Sequence, residues 1–166
     1  MTTPLLTPSD LQAFMQAQGI PGKILLLETP TPTVEIAAQV VSAQPDQIIK
    51  SILFTVDEEP VLAIACGTAY IDRAAIARLY NVGKKRVRLA APETVLAVSG
   101  YAVGAMPPFG HRRPLPTLID ARVLGLATAY AGGGGENALL RLDPQDILRH
   151  TQGTVMDLSC PPSETE

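Results

Sequence analysis

The sequence predicts a single α/β domain with a mixed sheet, and three observations carry that prediction. Segments with helical and with strand-like apolar spacing intermix along the whole chain instead of forming one block of each. Two apolar runs, 51–56 and 61–66, flank Asp57-Glu58-Glu59-Pro60 and read as a β-hairpin of the four-residue-loop kind. The length of 166 residues, without internal repeat, fits one domain, and folding at that size buries roughly 70% of the surface of the unfolded chain.

Composition bounds what kind of domain this is. The apolar share is 46%, the charged share 17%, and Trp is absent, so the core is aliphatic and the body of the chain is not disordered. Cys66 and Cys160 have neither metal spacing nor the look of a disulfide framework, which fits a reducing compartment. The amino terminus lacks a basic flank followed by an apolar run, and no stretch approaches the roughly 20 apolar residues of a membrane span. A cytoplasmic protein is expected. A net charge of −3 argues against a generic polyanion binder, while leaving room for a local basic patch that guides one RNA end.

The elements follow in order. Thr7-Pro8-Ser9-Asp10 offers a cap and an early proline, and Leu11, Phe14 and Met15 keep helical spacing until Gly19, so residues 8–18 are expected to be helical. Ile24-Leu25-Leu26-Leu27, short and bounded by breakers, is a buried strand, and Thr29-Pro30-Thr31-Pro32 is a loop. Thr33 caps a second helix with Val34, Ala37, Ala38 and Val41 on one face, ending near Gln44-Pro45. After the hairpin, residues 72–80 form a helix, Lys84-Lys85-Arg86 leads into the strand Val87-Arg88-Leu89, and Pro92-Glu93 starts a short helix reaching Val98.

Residues 100–116, rich in Gly and Pro, have almost no periodicity and form the longest irregular segment. Ordered loops of that length are often functional. Residues 117–120 and 127–131 are strands, and Gly132-Gly133-Gly134-Gly135 breaks the chain before Leu139-Leu140-Arg141-Leu142. Asp143-Pro144 then caps a last helix to about His150. The polar residues 161–166 are expected to form a flexible tail after a single domain spanning 1–160.

Few residues look able to carry chemistry. The glycine run lacks the Gly-Lys-Ser/Thr ending of a phosphate loop and no helix follows it. It is either a hairpin tip or a bare stretch of backbone that a ligand approaches closely. His111 and His150 do not form a ligand cluster and no HxxxH or CxxC spacing exists, so no metal is expected. His150 meets the negative end of the last helix, whereas His111, beside Arg112 and Arg113, faces either solvent or a ligand. Lys50 opens an apolar strand, where its amine either snorkels to water or is a fixed cation aimed at a carbonyl or carboxyl oxygen.

Taken together, several segments resemble the YbaK/ProX family of aminoacyl-tRNA deacylases, which includes the inserted editing domain of bacterial prolyl-tRNA synthetases. Thr33-Val34-Glu35-Ile36-Ala37-Ala38 resembles the family's opening helix, and Ile48-Ile49-Lys50-Ser51-Ile52-Leu53-Phe54 its lysine-bearing strand. Lys84-Lys85-Arg86-Val87-Arg88-Leu89-Ala90 precedes Pro92-Glu93, Gly100 to Gly110 resembles the glycine-proline loop, and Leu115-Pro116-Thr117-Leu118-Ile119-Asp120 follows in register. The likeness runs from about Thr31 to about Arg149.

The resemblance implies a mixed, mostly antiparallel sheet curved into a barrel-like core with surrounding helices. It implies hydrolysis of the ester that joins a wrong amino acid to the tRNA 3′ end, of the Ala- or Cys-tRNA(Pro) type, without metal or bound cofactor. Lys50 and Gly104 take the catalytic positions. Pro108, the far end of the GxxxP loop, is assigned to substrate binding together with Tyr101, Phe109, His111, Gly132 and Gly133. The implied partners are the aminoacyl-tRNA acceptor end and a prolyl-tRNA synthetase, not DNA or a membrane. Two departures stand out: Pro107 stands where family members often have a small polar residue, and the glycine run replaces a segment that often contains Ser. Two other readings compete, a non-catalytic tRNA-end or synthetase-binding module and a hydrolase of small free esters or amides. Comparing charged tRNA with a free aminoacyl ester separates them, because binding energy from the RNA aids reaction at the ester.

Overall fold

The computed structural model describes residues 4–160. The expected tail at 161–166 lies outside the described residues. The first helix, α1 (Pro8–Gln18), starts where a capping box is complete: the Asp10 N–H donates to Thr7 Oγ1 and the Thr7 N–H to Asp10 Oδ2, over 3.4 and 2.8 Å. It stops at Gly19, whose φ of 67° suits a residue without Cβ. Strand β1 (Lys23–Leu26) follows, then α2 (Val34–Val41), which Thr33 caps through the Ile36 N–H. Helix α2 ends at Ser42 in the left-handed region, a little before the expected Gln44-Pro45, and Pro45–Gln47 forms a single 3-10 turn instead.

Strands β2 (Ile49–Val56) and β3 (Glu59–Cys66) form the expected hairpin, with a shorter turn. Val56 pairs with Glu59 and Thr55 with Pro60, so the loop is Asp57-Glu58 alone, with φ of 50° and 71°. Two successive positive φ values match the right-handed twist of the strands better than an open four-residue loop does. An ion pair from Arg86 to Asp57 braces the turn.

Beyond the hairpin lie β4 (Tyr70–Ile71), α3 (Arg73–Tyr80) capped by Asp72, β5 (Val87–Leu89) and α4 (Pro92–Ser99). Residues 100–116 are irregular, as expected. Then come β6 (Thr117–Asp120), α5 (Ala121–Leu124), β7 (Ala129–Gly132), β8 (Ala138–Leu142), α6 (Pro144–Thr151), β9 (Thr154–Met156) and β10 (Ser159–Cys160).

The strands form a five-stranded sheet ordered β5-β2-β3-β6-β9, a three-stranded sheet β1-β8-β7 and a two-stranded sheet β10-β4. Pairing is antiparallel except for β3–β6 and β6–β9, so the mixed, mostly antiparallel α/β class is observed. A closed barrel is not found among the described residues. The two larger sheets meet instead at one parallel bridge, Ile48 to Tyr130, and β5 is too short to continue along β2. The main core packs between them around Leu53, Ile64, Ile119 and Leu140. Asp120, fully buried, accepts from the Leu158 N–H at 2.9 Å and the Ser159 hydroxyl at 2.6 Å, which ties the end of the described chain to β6. Cys66 is buried and Cys160 half-buried, and neither is in a disulfide. No helix among the described residues is long and apolar enough to cross a membrane.

Candidate active site

The seam between the two larger sheets opens into a cavity of about 380 Å³. Strand β2 contributes Ile49 to Leu53, the start of α2 contributes Val34 and Ala37, the irregular loop contributes Val103, Gly104 and Met106, and the β7–β8 hairpin contributes Gly132, Glu136 and Leu139. The walls are mainly aliphatic, and Lys50 and Glu136 are the charged residues that line it.

Lys50 reaches its place because β2 pairs it with Ala65 of β3. The half-buried side chain turns onto the β3–β4 connection, where the ammonium donates to the Ala69 carbonyl and lies 5.9 Å from the centroid of the Tyr70 ring. A cation held this way keeps a fixed direction, which electrostatic catalysis needs.

Gly104 has φ of +88°, and a Cβ built there would meet nothing within 4 Å. The residue therefore combines a left-handed backbone with open space at the cavity wall. The glycine run behaves differently. A Cβ on Gly132 would lie 2.4 Å from the Met106 carbonyl oxygen, and one on Gly133 would lie 2.6 Å from the Ala138 backbone. The Gly134 N–H donates to the Ala105 carbonyl over 2.9 Å. The run is a hairpin tip clamped against the glycine-proline loop, and its bare backbone admits that loop closely.

The other residues singled out in the sequence lie elsewhere. Tyr101 is fully buried in the core, its hydroxyl has no hydrogen-bond partner, and its pKa is pushed up to about 12 by burial and, less strongly, by the charge of Asp10. Phe109 is buried and stacks on Phe14 with ring centroids 6.0 Å apart. Pro108, Phe109 and His111 line a separate crevice of about 200 Å³, which His150 also borders. His111 Nε2 donates to the Pro107 carbonyl over 2.7 Å, a direction set by the oxygen's inability to donate. Burial lowers the His111 pKa, and that hydrogen bond opposes the shift.

The structure thus brings Lys50, Gly104 and Gly132 to one cavity, and it sets Pro108, Phe109 and His111 on another, Tyr101 in the core and Gly133 in the hairpin turn. Ser51 and Glu136, which also line the main cavity, drew no attention in the sequence. The only signals were their positions, one residue after the strand lysine and one after the glycine run. Among the described residues, no group of three or more His, Cys, Asp or Glu could hold a metal ion.

Comparison with known proteins adds a second line of information. The sequence profile of a family described as the aminoacyl-tRNA editing domain matches residues 28–150. The uncharacterized protein YwhH of Bacillus subtilis (strain 168) is 26% identical over 121 residues, covering 72% of this chain and 75% of that protein. A proline–tRNA ligase of Nitratidesulfovibrio vulgaris (strain DP4) is 30% identical over 124 residues, which is 73% of this chain and 21% of the ligase. The chain therefore spans about a fifth of that ligase's length. A crystal structure of a protein proposed to be a trans-editing enzyme for prolyl tRNA synthetase superposes with a TM-score of 0.87 at 32% identity, over 97% of this chain and 100% of the other.

Proposed function

The chain belongs to the aminoacyl-tRNA editing domain family, and from that membership we propose that it is a cytoplasmic hydrolase acting in trans on mischarged tRNA of the proline set, with a prolyl-tRNA synthetase as its natural associate. The observation that carries this reading is the meeting of Lys50, Gly104 and Gly132, from three distant parts of the sequence, on one cavity of about 380 Å³. That volume lies within the range of small-molecule sites and suits an aminoacyl ester together with its terminal ribose. The likeness in trans-acting form is supported by the match over the full length of the solved chain.

In this reading the ester carbonyl sits near the Lys50 ammonium. Water adds to the acyl carbon, and the negative charge that develops on the carbonyl oxygen is stabilised by the fixed cation. The ester C–O bond then breaks; of the two protons of the water, one goes to the ribose oxygen and the other to solvent, and the amino acid leaves as its carboxylate. Gly104 keeps the near wall free of a side chain, so the loop backbone approaches the reacting group. The aliphatic lining favours a small uncharged side chain such as that of alanine or cysteine. Neither metal nor cofactor has a role in these steps.

Release of amino acid from a panel of charged tRNAs tests the proposal, with free aminoacyl esters alongside. Faster turnover of Ala- or Cys-tRNA(Pro) than of the esters is expected. Turnover of the esters alone would point to a small-molecule hydrolase, and no turnover above buffer hydrolysis would remove the enzymatic reading.

A further inference from the structure

Strand β2 has a stretch of unpaired edge, and that edge borders the cavity. On one side β2 pairs with β3 from Ile49–Cys66 to Val56–Glu59. On the other, β5 pairs only with Phe54, Thr55 and Val56, while β7 meets the chain at the Ile48–Tyr130 bridge. Main-chain groups of successive strand residues point to opposite edges. The Leu53 carbonyl accepts from the Ala90 N–H at 3.0 Å, on the β5 side, and the Ile48 carbonyl accepts from the Gly67 N–H at 2.6 Å, on the β3 side. Ile49, Ser51 and Leu53 therefore point their main-chain groups to the side of β5 and β7; with the Leu53 carbonyl taken by Ala90 and the Ile48–Tyr130 bridge at the other end, Ser51 is the residue whose N–H and C=O face the gap.

The cavity touches Ile48 to Leu53 without skipping a residue. A cavity above one face of a strand would meet every second residue; contact with consecutive residues places it against the edge. Ser51 lies in the middle of that stretch, and its Oγ is buried with no hydrogen-bond partner. A buried hydroxyl left unmet weakens the free fold, so its retention calls for an explanation.

We propose that Ser51 anchors the main-chain atoms of the aminoacyl group, an inference that rests on reading the cavity as the aminoacyl site. An α-amino ester has the N–Cα–C=O arrangement of one strand residue, so it complements a free edge in the way an added strand does. The Ser51 N–H donates to the acyl oxygen and its C=O accepts from the α-ammonium; the Oγ, covered in the free protein, accepts from that ammonium after a turn about χ1 to another staggered rotamer. These atoms are common to all amino acids. Ser51 is accordingly a binding residue that positions the ester beside Lys50 and does not choose the side chain.

The test uses two non-hydrolysable probes, 3′-alanylamino-3′-deoxyadenosine and its propanoylamino counterpart, which lacks the α-ammonium. Affinities are measured by calorimetry for the parent, Ser51→Ala and Ser51→Thr. Ser51→Ala should bind the alanyl probe about tenfold more weakly, the loss of one charge-assisted hydrogen bond, with a melting temperature no lower than the parent's. Ser51→Thr should restore binding, and the propanoyl probe should bind the parent and Ser51→Ala alike. If Ser51→Ala folds poorly, Ser51→Cys makes the same comparison. Equal affinity of parent and Ser51→Ala for the alanyl probe, equal losses on both probes, or no binding to the parent would overturn the assignment. Ser51-dependent binding by a parent protein that hydrolyses no charged tRNA would leave the anchor standing and remove the deacylase reading alone.

Discussion

The Lys50 ammonium donates a hydrogen bond to the Ala69 carbonyl, so the side chain of a cavity-lining residue of β2 ends on the β3–β4 connection. Lys50→Ala loses both that contact and the cation proposed to stabilise the intermediate. One net hydrogen bond contributes about 1 kcal/mol to folding, a melting shift of about 2–4 °C at this size. A preorganised cation contributes about 3 kcal/mol to the transition state, roughly a hundredfold in rate. Rate and melting temperature measured on one preparation separate the two roles. A parental rate in folded Lys50→Ala would leave the lysine as a structural tie only.

Gly104→Ala should harm turnover more than stability. The added methyl meets no atom within 4 Å, but a φ of +88° is one that L side chains rarely adopt, at a cost of about 1–2 kcal/mol. Rates corrected for the folded fraction, with small and large aminoacyl groups, should fall below the parent's. If they match it for both, the loop does not border the reacting ester.

Gly132→Ala should be the more destabilising of the two glycine substitutions. Its methyl would lie 2.4 Å from the Met106 carbonyl oxygen, and forcing a methyl into packed backbone costs about 1–3 kcal/mol, or more. Denaturant unfolding of both variants provides the comparison. An unchanged midpoint for Gly132→Ala would mean that hairpin and loop part easily.

Burial makes His111 harder to protonate in the folded protein than in the unfolded chain. The unfolded chain, with an ordinary value near 6.5, binds a proton first as pH falls. Stability from this group is therefore complete above pH about 6.5, declines as pH drops through the interval below it, and levels off under the lowered folded-state value. Melting temperatures from pH 8 to 5 should show that decline, and His111→Gln should flatten it. An equal slope in both proteins would assign the pH dependence to other groups.

Chelator should leave deacylation unchanged, because the proposed steps use a lysine, loop backbone and water. Activity after exhaustive treatment with a chelator is the measurement. Loss of activity that a divalent ion restores would contradict the proposed chemistry.

Local structure was largely legible because its causes are local. Thr7 with Asp10, and Gly19 at the other end, bound α1 within a dozen residues of sequence, and two apolar runs on either side of Asp57-Glu58-Glu59-Pro60 mark a hairpin whatever the rest of the chain does. The hairpin loop was misjudged because Pro60, read as a turn residue, is held in β3 opposite Thr55. Helix α5 and strands β4, β9 and β10 carry too few residues for a period to show. The strands' pairing partners, such as Asp120 for Met156 and Ile71 for Ser159, lie far away in sequence.

The same division holds at the site. The order of segments, with Lys50 on its strand and Gly104 opening its loop, was enough to indicate the family and the chemistry it implies. Only the tertiary structure decided which residues share a cavity: it gathers Lys50, Ser51, Gly104 and Gly132 while turning Tyr101 and Phe109 into the core and Pro108 to another crevice. The reason is that direction within an irregular loop obeys no period. The side that each residue of 100–116 faces is set by what packs against it, chiefly α1 and the glycine hairpin, and the free edge at Ser51 exists because β5 ends opposite Phe54. Such long-range geometry leaves no signature in the local sequence.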